Sequence, residues 1–135
     1  MELVDDMAQE AESVHAVHRF QVSTQQESQT EEFIRQMFVG NRLRFLSAPA
    51  GASFSADVAQ AGELAVSRMR SSVDYSARTD PFDHFLFFSM GHGRLKMRNG
   101  RQESLVASGD VSFYPLDVPL EMDMLDIGAL VVSRN

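Results

Sequence analysis

The chain has 135 residues and a mass of 15.1 kDa, which suits one domain with its own core and excludes two full ones. Hydrophobic residues make up 44% and charged residues 23%, a globular composition, and the absence of cysteine excludes disulfide frameworks, thiolate metal sites and thiol catalysis. A net charge of −7 lacks the basic footprint that phosphate binding needs, so the chain by itself is not expected to bind nucleic acid.

The acid is concentrated at the start. Glu2, Asp5, Asp6, Glu10 and Glu12 fall within residues 1–18, which hold no Lys or Arg. The same segment places Leu3, Met7, Ala11 and Val14 on one narrow helical stripe. Residues 1–18 are therefore expected to be a helical arm, and residues 19–135 the domain. The stripe is too short and sparse to be stable alone and gains stability only by burial against something. No apolar run approaches the ~18–20 residues that span a bilayer, and an acidic start is unlike a signal peptide, so a cytoplasmic location is expected.

Residues 28–39 predict a helix. Ser28 with Glu31, or Thr24 with Glu27, has capping-box spacing. Phe33, Ile34, Met37 and Phe38 form one apolar face, expected to lie as a lid on a sheet, and Gly40-Asn41 ends the helix.

From Leu43 onward the period changes to two. Phe54, Ala56 and Val58 alternate with polar residues, as do Val73 and Tyr75, and Leu95 and Met97. Phe85-Leu86-Phe87-Phe88 is continuously apolar, the pattern of a strand covered on both faces. Asn99-Gly100 is a strong hairpin signal. Leu105-Val106, Val111–Tyr114, Leu120–Met124 and Ala129–Val132 complete roughly nine or ten short strands, a rhythm of sandwiches, jelly rolls and barrels.

Catalytic patterns are missing. No G-x-S-x-G is present, and no motif fixes a pair among Asp80, Asp83, Glu121, Asp123 and Asp126. His15 and His18 lie three apart in the arm, while His84 and His92 stand alone. Arg94, Lys96, Arg98 and Arg101 crowd one hairpin, either as a solvated edge that discourages sheet pairing or as a patch for an acidic partner.

Between Phe85 and Pro115 the sequence reads strand, Gly91, strand, Asn99-Gly100, strand, Gly109-Asp110, strand, Pro115. This skeleton resembles the cupin double-stranded β-helix. Gly91 matches the glycine of the first cupin motif, and Gly109 and Pro115 match the second at the family's spacing. The metal ligands do not match: His84 stands at the Glu position, Asp117 at the second-motif glycine and Leu120 at its histidine. The two histidine positions of the first motif fall near Ala77 and Thr79, or near Arg78 and Asp80. The resemblance therefore implies no metal and no cofactor.

The ordered set is narrower still. Phe20 to Thr24, a helix ending in Phe38, Phe54-Ser-Ala-Asp, Gly62-Glu-Leu64, Val73-Asp-Tyr75 and Asp83-His-Phe85 precede that skeleton. Over about residues 18–134 the chain is similar to the N-terminal sensing domain of AraC/XylS-type transcriptional regulators, in the AraC-binding-like subset. The resemblance implies a non-enzymatic regulatory domain that binds a small effector, forms a homodimer, or both, and reaches DNA only through a C-terminal helix-turn-helix domain absent from this chain. A stand-alone cupin-like enzyme with an atypical non-metal site and a pure dimerisation module are the alternatives.

If the His84 position points inward, Leu86, Phe88 and Met90 share its face, with either Val111 and Phe113 or Ser112 and Tyr114. The expected effector-binding set is Met69, Tyr75, His84, Leu86, Phe88, Met97, Phe113 and Met122. Ten Phe and eight Met favour an apolar, adaptable lining and a small apolar or aromatic effector. Tyr75, His84 or Arg68 is the expected anchor for a polar end. The candidate dimer surfaces are the arm stripe, the outer face of helix 28–39 and the outer face of Phe85–Phe88.

Overall fold

Alternation of apolar and polar residues sets the architecture. The computed structural model describes residues 16–134. Its elements run β1 (His18–Thr24), α1 (Glu27–Met37), β2 (Asn41–Ser47), β3 (Phe54–Ala61), β4 (Leu64–Ser71), β5 (Asp74–Thr79), β6 (Phe85–Asn99), β7 (Gln102–Ala107), β8 (Val111–Phe113) and β9 (Leu120–Arg134). The helical stripe expected for the arm lies outside the described residues.

The nine strands form one antiparallel sheet with the path β1-β3-β4-β9-β5-β2, and β6 lies beside β9 and carries β7 and β8. β6 and β9, 15 residues each, serve two layers. The first half of β6 pairs with the second half of β9 and with β8; its second half pairs with the first half of β9 and with β7. β9 likewise gives its second half to β4 and its first half to β5. The sheet thus folds over its own central hairpin into the layers β8-β6-β9-β4-β3-β1 and β7-β6-β9-β5-β2. The fold is mainly β, a cupin-like jelly roll, and the inward residues of both layers meet in one core.

The bend requires a change of side-chain parity. The inward residues of β6 are Leu86, Phe88 and Met90 before the bend but Leu95 and Met97 after it; those of β9 are Leu120, Met122 and Met124, then Ile127, Ala129 and Val131. Each strand takes an extra residue at a bulge, where the pairing register shifts around His92. Gly93 (φ 84°) and Asp126 (φ 49°) occupy the left-handed region there. A Cβ on Gly93 would overlap the carbonyl oxygens of Leu125 and Asp126. The Asp126 amide donates to Asp74 Oδ1 at 2.9 Å, and His92 Nε2 lies 2.9 Å from Asp126 Oδ2. Gly91, read from sequence as closing its strand, instead lies inside β6.

Helix α1 covers a sheet edge. β2 pairs only with β5, so half of its backbone groups lack a strand partner. The Glu31 and Glu27 carboxylates accept hydrogen bonds from the Leu43 and Phe45 amides, both at 2.9 Å. These acids therefore cap the edge of β2 and close no capping box; the residue before the helix is Gln26, whose side chain makes no cap bond. Phe33 and Ile34 are buried, and Phe33 packs on Phe54 with ring centroids 5.5 Å apart. Phe85–Phe88 also departs from expectation: Leu86 and Phe88 are buried, whereas Phe85 is 49% exposed, so the strand is covered on one face only.

Gly93→Ala should destabilise the domain by roughly 2 kcal/mol or more, since it combines a left-handed backbone with a backbone clash. Gly51 has φ 81° with open space around it, so Gly51→Ala should cost only about 1 kcal/mol. Urea unfolding of the two variants measures the difference.

Candidate functional site

A small cavity lies between α1 and the mouth of the jelly roll. Ile34 of α1, with Phe38 and Val39 just past its end, forms one wall, and Met69, Tyr75, Leu86, Met122 and Met124 belong to its sheet walls. Phe82 and Tyr114 close one side, with rings stacked at 5.0 Å. Its volume is about 30 Å³, room for one or two water molecules.

Its polar groups are few. Tyr75 is fully buried, and its hydroxyl has no hydrogen-bond partner. Burial raises this hydroxyl well above the usual tyrosine range, and the neighbouring Tyr114 hydroxyl adds to the shift. Tyr114 is raised less, also by burial, and the residue as a whole is half-buried. Both phenols are neutral donors at any physiological pH. An enclosed hydroxyl without a partner costs about 1–3 kcal/mol, which a bound acceptor would recover.

Of the expected effector-binding residues, Met69, Tyr75, Leu86 and Met122 line this cavity. Phe88 and Met97 are buried in the same core but not on the cavity wall; Phe88 packs on Tyr114 at 4.9 Å. His84 precedes β6, with Nδ1 3.0 Å from Asp83 Oδ1, its ring edge-on to Phe82 at 6.2 Å, and Nε2 enclosed without a partner. Phe113 is a correction. It is 57% exposed and packs on Phe85 and Phe87 outside the sheet, so Ser112 and Tyr114 are the inward pair of this strand region. Arg68 also lies outside, on a shallow cleft of about 600 Å³, and cannot anchor a ligand in the core. Sequence reasoning missed the α1 wall, Phe82 and Met124. A lid read from the apolar face of residues 28–39 was the available signal for the first.

A groove of about 430 Å³ crosses the outer face of the other layer, among Arg42, Arg44, Arg78, Arg98, Glu121 and Asp123. It is open and charge-lined. Arg98 donates to Asp123 at 3.3 Å and lies 3.6 Å from Glu121, while Arg78 lies 3.7 Å from Glu121. Among the described residues, no three His, Asp or Glu side chains converge as a metal site would require, and no helix is long and apolar enough to cross a membrane.

The family model of the AraC-binding-like domain matches residues 30–132. The chain belongs to this family. Among solved structures, the AraC-like transcriptional activator CuxR superposes with a TM-score of 0.71 at 18% identity, over 87% of this chain and 47% of that one. The AraC-binding-like chain thus spans about half the length of that regulator, and at this identity the likeness is one of fold. An RmlC-like cupin from Shewanella frigidimarina NCIMB 400 matches at a TM-score of 0.46 and 13% identity, over 69% of this chain and 83% of its own. A cupin-2 domain protein from the same organism matches at 0.45 and 10%, over 69% and 78%. No curated protein matches the sequence significantly.

The chain has two tyrosines, Tyr75 and Tyr114, and no tryptophan, so their ionisation is directly readable. Folded pKa values raised above the unfolded value of ~10 leave stability unchanged below pH 10 and reduce it above, by up to about 1.4 kcal/mol per pH unit for each tyrosine. Absorbance at 295 nm should stay flat to pH 11 and then rise together with loss of circular dichroism. A reversible rise near pH 10 in the folded protein would contradict the enclosure of these hydroxyls.

Proposed function

We propose that this chain is the sensing domain of a transcriptional regulator, that it takes up a small, largely apolar or aromatic effector between α1 and the jelly roll, and that it performs no catalysis. In this reading it acts as a homodimer and reaches DNA through a separate helix-turn-helix domain. Membership in the AraC-binding-like family supports the regulatory role. The observation that carries the effector is Tyr75, a wall residue of a largely apolar cavity whose hydroxyl is enclosed and unpartnered.

The cavity must widen to admit a ligand, and its walls are suited to that. Met69, Met122 and Met124 are unbranched and repack easily. The α1 wall is held to β2 by the carboxylate–amide bonds of Glu27 and Glu31, which a small helix displacement can break and remake in water. The effector needs one acceptor for Tyr75 and otherwise apolar surface. Arginine does not reach the cavity, so a dianionic or heavily hydroxylated effector is disfavoured.

Thermal unfolding against small aromatics bearing one polar group (phenol, indole, benzoate, salicylate) tests this. A ligand at 100 times its Kd stabilises by about 2.7 kcal/mol, a Tm rise of roughly 10 °C for a domain of this size. Tyr75→Phe should fold at least as stably as the parent and bind the responding compound tenfold or more weakly. A shift that survives Tyr75→Phe unchanged would remove this site, and a core that responds to no compound would leave a pure dimerisation module.

A further inference from the structure

We infer that the outer face of the β8-β6-β9-β4-β3 layer is the homodimer surface, with a second copy of this chain as its occupant. This rests on the homodimer proposed above and names its contact. The pairing registers align Phe113, Phe87, Val132, Val66 and Ala59 in one row across five strands. Leu130 and Leu64 flank that row on neighbouring positions, with Val111 and Phe85 on the β8 side. Phe85, Phe87 and Phe113 pack mutually at 5.3–6.1 Å yet leave Phe85 49% and Phe113 57% exposed.

The apolar area favours a second copy. A half-exposed Phe leaves on the order of 100 Å² in water, so Phe85, Phe113, Val111, Leu64 and Leu130 together present on the order of 500 Å². With the rest of the row this approaches the ~800 Å² per partner of a standard interface. The row carries no charge along its length. Arg19 follows it on β1, Asp57, Arg68 and Arg70 lie along one side of it, and Arg134 stands on the other between Phe85 and Leu64. A two-fold axis in the plane of the contact, parallel to the strands, lays the apolar row of one copy on that of its partner, as an isologous contact needs. The outer face of the other layer lacks that property. Arg42, Arg44, Arg78, Lys96, Arg98, Glu121 and Asp123 there stand where this face has its apolar row. A foreign protein or a following domain of the same regulator is the competing occupant.

Sedimentation equilibrium of the whole chain at tens of micromolar decides, with Phe113→Asp and Leu130→Glu on this face and Leu46→Asp, 53% exposed on β2, as control. The parent and the control should be dimers, and each face variant should raise the dimer Kd tenfold or more while keeping the parent circular dichroism. Should Phe113→Asp not fold, Val111→Lys, at a position 63% exposed, gives the same reading. Dimers that persist in the face variants overturn this surface and leave dimerisation standing elsewhere. A monomeric parent overturns dimerisation itself, and with it this contact.

Discussion

The paired bulge where β6 crosses β9 is the constraint on which the rest of the structure depends. A strand of strict alternation that ran through both layers would bury its apolar set in one and expose it in the other. The extra residue in each strand resets the parity, so Leu86, Phe88 and Met90 reach the same core as Leu95 and Met97. The space for this is narrow. Gly93 brings its Cα against the Leu125 and Asp126 carbonyls, and Asp126 accepts a left-handed backbone held by the Asp74 carboxylate. Asp74 opens β5, so the bend also fixes where the second layer begins.

Local signals in the sequence located most strands and few of their relations. The hairpin at Asn99-Gly100 was legible because a two-residue turn is a local event: Asn99 pairs with Gln102 and Gly100 takes φ 59°. The Gly109-Asp110 corner and the stop at Pro115 were legible for the same reason. β1 escaped notice as a strand although Phe20, Val22 and Thr24 alternate, because its strand character depends on β3, distant in sequence. Glu27 and Glu31 read as caps of their own helix, since nothing local announces that β2 has a bare edge to cover. The placement of Phe113 failed similarly. A three-residue strand carries no period of its own, and only its pairing with the outward Phe87 decides which aromatic, Phe113 or Tyr114, turns inward.

The two aromatic groups that result have opposite roles on one strand. Leu86 and Phe88 face the core in which Tyr75 and Tyr114 sit, while Phe85 and Phe87 project to the far side of the same backbone. One residue separates the interior environment from the exterior one. A shift of β6 that enlarges the cavity necessarily repositions the outer phenylalanines, because a packed strand moves as a unit. The geometry gives the interior and the outer surface a common mechanical element without any long chain of intermediates.

The position of β9 bears on how the chain comes to be folded on the ribosome. Among the described residues it is the last strand in chain order, yet it is the neighbour of β4, β5 and β6 and, with β6, joins the two layers. Until it emerges, β4 and β5 each lack a partner on one side and the apolar faces of both layers stand open. Synthesis at ~5–20 residues per second leaves that unfinished sheet exposed for seconds. Joining of the two layers thus waits for β9, and chains cut short before Leu120 leave β4 and β5 with unpaired edges.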